Sequence, residues 1–67
     1  MSASLLQVKR KSKRLTQQEV ARIVGVSRQY YNEIESGKRS PSVQLAKNIG
    51  RVLGVDWTIF FKDKVNI

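Results

Sequence analysis

The chain has 67 residues, of which 13 are Lys or Arg and 5 are Asp or Glu, giving a formal charge of +8. It contains no Cys and no His, which excludes a disulfide staple, a thiol nucleophile, a histidine base and the usual zinc sites. So short a chain allows one domain with a small core, and so large a basic excess favours a polyanionic partner.

The opening stretch, MSASLLQVKRKSKR, predicts a helix running to about Lys13 and capped by Ser2 or Ser4. Leu5 and Val8 lie on one face, and Ser12 continues that line. Lys9, Lys11 and Lys13 are expected in solvent. KRKSKR also has the composition of a nuclear-localisation run. The simpler reading is a basic helix face that adds long-range attraction.

The next stretch, TQQEVARIVGVSRQYYNEIESG from Thr16 to Gly37, reads as two short helices joined by a tight turn. Thr16 stands at a cap position with Glu19 three residues on, the pattern of a capping box. Val20, Ala21 and Val24 recur at helical spacing. Gly25 can stop the helix in a left-handed conformation, Val26 plugs the turn and Ser27 caps the second helix. In that second helix Arg28, Gln29, Asn32, Glu33 and Ser36 share one side. Tyr31 and Ile34 share the other, Tyr30 lies near the boundary, and Gly37 ends the helix.

Ser40, Pro41 and Ser42 then signal a loop and a new helix start. A helix is predicted from about Val43 to Leu53, with Val43, Ala46, Ile49, Gly50 and Leu53 on its apolar stripe and Leu45 and Val52 flanking. An interior Gly costs about 1 kcal/mol of helix propensity relative to Ala, so Gly50 on the buried stripe suggests close backbone packing. Gly54 ends that helix, and Asp56 caps a last short one from Trp57 to about Phe61. Trp57, Ile59, Phe60 and Phe61 are too crowded for one helix face to bury. Trp57 with Phe60 or Phe61 is expected to finish the core. The surplus, Ile59 included, is expected to form an apolar patch of the kind that marks a subunit interface. Filling the core is the competing role for all four. Val65, Asn66 and Ile67 either add a short strand or fray.

The run LTQQEVARIVGVSRQYYNEIESGK over 15–38, Pro41-Ser42, and IGRVLGV over 49–55 together resemble the Cro and lambda-repressor type of helix-turn-helix regulator, the XRE family. The resemblance covers most of the chain. It implies an all-α, compact five-helix bundle of the lambda-repressor-like DNA-binding class. One domain would span 1–67, with the helix-turn-helix at about 16–36 and a C-terminal tail at 62–67.

The resemblance also implies that the helix beginning at Ser27 lies in the major groove. Arg28 would then pair with guanine, and Gln29 or Asn32 with adenine, each good pair giving roughly 1–3 kcal/mol of discrimination. Glu33 has two open roles, accepting from cytosine or repelling phosphate at wrong sites. Gln17, Gln18, Ser27, Tyr30, Lys38 and Arg39 are candidates for the DNA backbone, with Tyr30 packing on sugar-phosphate or on a thymine methyl. The alternative for Lys38 and Arg39 is a solvated loop tip.

By the same resemblance Arg10 lies near Glu35, so a structural ion pair is expected, against the alternative that both are free at the surface. Arg14 departs from the family, where that position is commonly Gly. It either accepts a modest backbone cost or the turn has another shape, with a phosphate contact as a further option.

A module of this size binds DNA weakly, so a homodimer on a palindromic operator is expected, with half-sites roughly 34–36 Å apart. The expected function is a sequence-specific double-stranded DNA-binding transcriptional regulator, a repressor rather than an activator. Trp57, Ile59, Phe60 and Phe61 are the candidate dimer surface. No metal, cofactor or small-molecule ligand is expected. No run is long or apolar enough to span a bilayer and the N-terminus has no signal-peptide pattern, so the expected location is the cytoplasm. An antitoxin-like protein with a second protein partner is a competing class. An enzyme is disfavoured because no catalytic constellation converges, and RNA binding because the aromatics sit at core spacing.

Overall fold

Hydroxyl caps and left-handed turns set most of the helix boundaries, although the expected cap Ser4 lies inside the first helix. The computed structural model describes the backbone of residues 2–61 and the side chains of residues 5–61. Four α-helices succeed one another: α1 (Ser2–Ser12), α2 (Gln17–Val24), α3 (Arg28–Glu35) and α4 (Val43–Leu53). A single 3-10 turn, Trp57–Phe60, closes the series. The expected fifth helix is therefore this short turn, and no strand occurs among the described residues. The expected strand at 65–67 lies outside them.

α2 opens on a complete capping box. Thr16 Oγ1 accepts from the Glu19 amide at 3.1 Å, and the Thr16 amide donates to Glu19 Oε1 at 2.8 Å. Hydrogen bonding to Thr16, from its backbone amide first and its side chain second, holds the Glu19 carboxyl below the ordinary range. Ser27 caps α3 by accepting from the Tyr30 amide at 3.0 Å, and Ser42 caps α4 by accepting from the Leu45 amide at 3.1 Å. Asp56 caps the last turn through Thr58. α2 stops at Gly25 with φ 83°, where the chain reverses towards α3. Arg14, between α1 and α2, takes φ 59°. The turn thus keeps the left-handed shape that suits Gly, and Arg bears its steric cost.

The core is built from Leu6 of α1, Val20 and Ala21 of α2, Tyr31 and Ile34 of α3, and Leu45, Ile49 and Leu53 of α4. Leu15, Val24 and Val26 pack against its margin, and Val26 does so from the α2–α3 turn. Two expected stripes are corrected. α1 buries Leu6 and Arg10, whereas Leu5 and Val8 are 38% and 61% exposed. The inward face is an i, i+4 pair that ends in a charge, which a search for apolar periodicity passes over. On α4, Val43 is 51% exposed, and Leu45 from the same turn enters the core with Ala46, Ile49, Gly50 and Leu53.

The roles of the terminal aromatics also change. Ile59 and Phe60 pack against the core, so Ile59 is not the exposed surplus. Trp57 lies instead over the α4 backbone at Gly50, with Lys47 Nζ 5.2 Å from the centre of its ring. Phe61 meets Trp57 and Phe60 edge-on at 6.1 and 6.4 Å. No residue of the 3-10 turn is fully buried. No described helix is long and apolar enough to cross a membrane.

Gly50 permits this packing. A Cβ there would stand 2.7 Å from the Val55 carbonyl oxygen and 3.2 Å from Trp57 Cβ. Ala is the better helix former by about 1 kcal/mol, yet a backbone oxygen cannot move aside as a flexible side chain can. Gly50→Ala is therefore expected to lower the thermal midpoint, as read by circular dichroism. Arg14→Gly is expected to raise it, because it relieves a left-handed residue.

Candidate nucleic-acid interface

The site begins with a buried charge. Arg10 and Glu35 are 8% and 5% exposed. Arg10 Nε donates to Glu35 Oε2 at 2.8 Å and Nη2 donates to Oε1 at 3.0 Å, a two-point pair across twenty-five residues of sequence. Arg10 Nη1 also donates to the Leu15 carbonyl at 2.9 Å, tying α1 to the start of α2. The Tyr31 hydroxyl donates to Glu35 Oε2 at 2.9 Å. Gln17 Nε2 donates to Glu35 Oε1 at 2.8 Å. Burial pushes the Glu35 carboxyl up, but hydrogen bonds from Arg10, Gln17 and Tyr31 outweigh it and hold the group below the ordinary range. The same burial, with the Glu35 bond, pushes the Tyr31 hydroxyl up. No buried side-chain polar atom among the described residues lacks a partner.

This cluster fixes α3 against α1 and α2 and sets which face of α3 is outward. Arg28, Gln29, Asn32 and Ser36 are exposed, and Tyr30 and Glu33 are half-buried. The side chains of Arg28 and Gln29 have no hydrogen-bond partner among the described residues and are free to engage a ligand. Asn32 is coupled to the anchor: Gln17 Nε2 donates to Asn32 Oδ1 at 3.0 Å as well as to Glu35. The Gln17 amide nitrogen is thus committed inside the protein, while the Asn32 amide nitrogen stays available.

Glu33 is not a lone carboxylate. Arg39 Nε donates to Glu33 Oε1 at 2.8 Å, and the Arg39 guanidinium lies 5.2 Å from the centre of the Tyr30 ring. Ser27, Gln29, Tyr30, Glu33 and Arg39 together line a shallow open depression beside α3. Gln18, Ser27 and Lys38 are exposed. The N-termini of α2 and α3 present backbone N–H groups that suit an anion. Among the described residues no group of acidic side chains could hold a metal ion.

Neither the double role of Gln17 nor the Glu33–Arg39 pair is visible in residue spacing. Each joins long side chains separated by a turn, where several partners are within reach. The Tyr31 bond to Glu35 has a weak signal, because the two stand at i, i+4 on one helix.

Two helices at a fixed crossing, with the second presenting amides and a guanidinium, define the helix-turn-helix class. The family model described as Helix-turn-helix matches residues 6–60. The chain belongs to this family, in its XRE-type form, whose members are DNA-binding regulators rather than enzymes. An uncharacterized HTH-type transcriptional regulator of Bacillus subtilis (strain 168), YqaF, is 48% identical over 66 residues, covering 98% of this chain and 87% of that protein. The ImmF control region 10 kDa protein of Bacillus phage phi105 is 31% identical over 64 residues, covering 96% of this chain and 71% of that protein. An uncharacterized HTH-type transcriptional regulator of Methanothermobacter thermautotrophicus is 47% identical over 51 residues, covering 76% of this chain and 74% of that protein. No solved structure gives a significant match.

The Glu35 cluster has a pH signature. The folded carboxyl is held below its unfolded value of about 4.3, so its contribution is complete above that value. It is lost as the pH falls through the lowered folded value. Glu35→Gln is expected to be less stable at neutral pH yet to show a flatter acid limb in a urea-unfolding series.

Proposed function

We propose that the chain is a sequence-specific double-stranded DNA-binding regulator, a repressor, formed by a single domain and acting in the cytoplasm. The observation that carries this reading is the outward face of α3, where Arg28 and Gln29 are exposed and unpartnered on a helix whose other face is locked by Arg10 and Glu35. Arg28 offers two parallel donors for the major-groove edge of guanine, and Gln29 and Asn32 offer the donor and acceptor that adenine requires. Gln18, Ser27, Tyr30, Lys38 and Arg39 supply backbone contacts that set register without reading sequence. Gln17 adds a positioning role, because it aims Asn32. The names of the relatives, two HTH-type transcriptional regulators and a phage control-region protein, support a regulatory role.

The net charge of +8 supplies sequence-independent attraction that weakens with salt. Specific repression needs more than one half-site can give, so the protein acts as a homodimer on a palindromic operator. Trp57, Phe60 and Phe61, with Phe61 edge-on to the other two rings, are the proposed contact surface, and Ile59 supports them from the core.

Selection from a random-core duplex pool tests the reading of DNA. Wild-type protein should enrich a symmetric sequence. Arg28→Ala should lose roughly 1–3 kcal/mol on that sequence and relax preference at one guanine in each half-site. Failure of the wild type to enrich any sequence rejects the proposal. Sedimentation equilibrium tests the assembly. Wild type should be dimeric and Phe61→Lys, which leaves Ile59 and Phe60 on the core, should be monomeric.

A further inference from the structure

Glu33 is an anomaly on a surface meant for DNA. A carboxylate beside the groove-facing side chains would repel phosphate, and the expected roles of reading cytosine or rejecting wrong sites both need it free. It is not free. Its carboxylate oxygen Oε1 holds Arg39 Nε at 2.8 Å, and its backbone carbonyl accepts from the Lys38 and Arg39 amides at 2.9 and 3.2 Å. Glu33 therefore grips Arg39 twice, by main chain and by side chain. Tyr30, one turn earlier on α3, gives the guanidinium a ring face to lie on, at 5.2 Å. The side chain of Glu33 is the more covered partner, at 28% exposure against 57% for Arg39. The carboxylate thus sits behind, and the cation stands in front.

We propose that Glu33 is a positioning residue: with Tyr30 it holds the Arg39 guanidinium at the edge of α3, ready to meet a phosphate of duplex DNA. This rests on the DNA-binding reading above and assigns Glu33 a role other than base reading. An unrestrained Arg loses rotamer freedom when it binds, and a held one has lost it already. Pairing also cancels the Glu33 charge where it would oppose the duplex. An exposed pair of this kind contributes little to folding, so its consequence falls on binding. Lys38, adjacent in sequence and without a side-chain partner among the described residues, provides the unpositioned comparison.

The test is a double-substitution cycle, read by titrating the protein against the duplex enriched from the random-core pool over a range of salt. Arg39→Ala should lower the slope of log affinity on log salt by about 1. Glu33→Gln should weaken binding about two- to fivefold in the wild-type background, without changing the base preferred at any position. In the Arg39→Ala background it should cause no loss, whereas in the Lys38→Ala background the full loss should remain. Arg39→Lys, which keeps the charge but loses the planar fork, should behave as Glu33→Gln does. Circular dichroism of each variant should match the wild type. The proposal is overturned by an equal loss in all backgrounds, by tighter binding of Glu33→Gln to DNA, or by a shifted base preference. If the wild type enriches no duplex, the DNA-binding reading itself has failed and the proposal falls with it. If the wild type binds and the cycle shows no coupling, only the role of Glu33 has failed.

Discussion

The buried pair of Arg10 and Glu35 is the constraint on which the remaining geometry depends. Removing one partner of such a pair typically costs about 3–5 kcal/mol, against a total of roughly 5–15 kcal/mol for an ordinary domain. The pair is stable here because it is not left to itself: Leu15 accepts from a further Arg10 nitrogen, and Gln17 and Tyr31 donate to the Glu35 oxygens. An apolar core alone would set the distance between α1 and α3 but would tolerate rotation of α3 about its axis. A two-point hydrogen-bonded pair does not, since Nε and Nη2 must each find its own carboxylate oxygen. The orientation of Arg28, Gln29 and Asn32 towards solvent results from that restriction.

The pair also reaches the outer face. Gln17 donates inward to Glu35 and outward to Asn32, so one amide nitrogen joins the anchor to a groove-facing side chain. Support for the outward residues is therefore of two kinds. Asn32 is held from behind by the core network, and Arg39 is held from the side by Glu33 and Tyr30. Arg28 and Gln29 are carried by the helix alone.

Local chemistry is legible in the sequence wherever the signal acts over a few residues. Thr16 with Glu19, Ser27, Ser42, Gly25 and Gly54 mark helix ends because caps and left-handed turns need particular residue types at fixed offsets. Gly50 signals close packing because a glycine on a buried stripe has few other physical reasons to be there. Three features escape that logic. On α1 the inward face ends in Arg10, and a pattern search treats charge as solvent-facing, so Leu5 and Val8 stand out in place of Leu6. On α4 Val43 has the right spacing but stays exposed, and Leu45 from the same turn enters the core instead. At Trp57–Phe60 a 3-10 turn stands in place of the expected short helix, and none of its residues is fully buried. The Gln17 bridge and the Glu33–Arg39 pair depend on which of several long side chains meet across a turn, and spacing leaves that choice open.

The disposition of the carboxylates has one more consequence. Glu19 closes the capping box, Glu33 holds Arg39, Glu35 holds Arg10 and Asp56 caps the last turn. Each described acid is thus occupied within the fold, and the chain has no histidine to titrate near neutrality. No side chain with an ordinary range near neutrality is present, so the protein keeps its positive balance across mild acid and mild alkali. Its attraction to a polyanion is accordingly tuned by ionic strength and hardly at all by proton concentration.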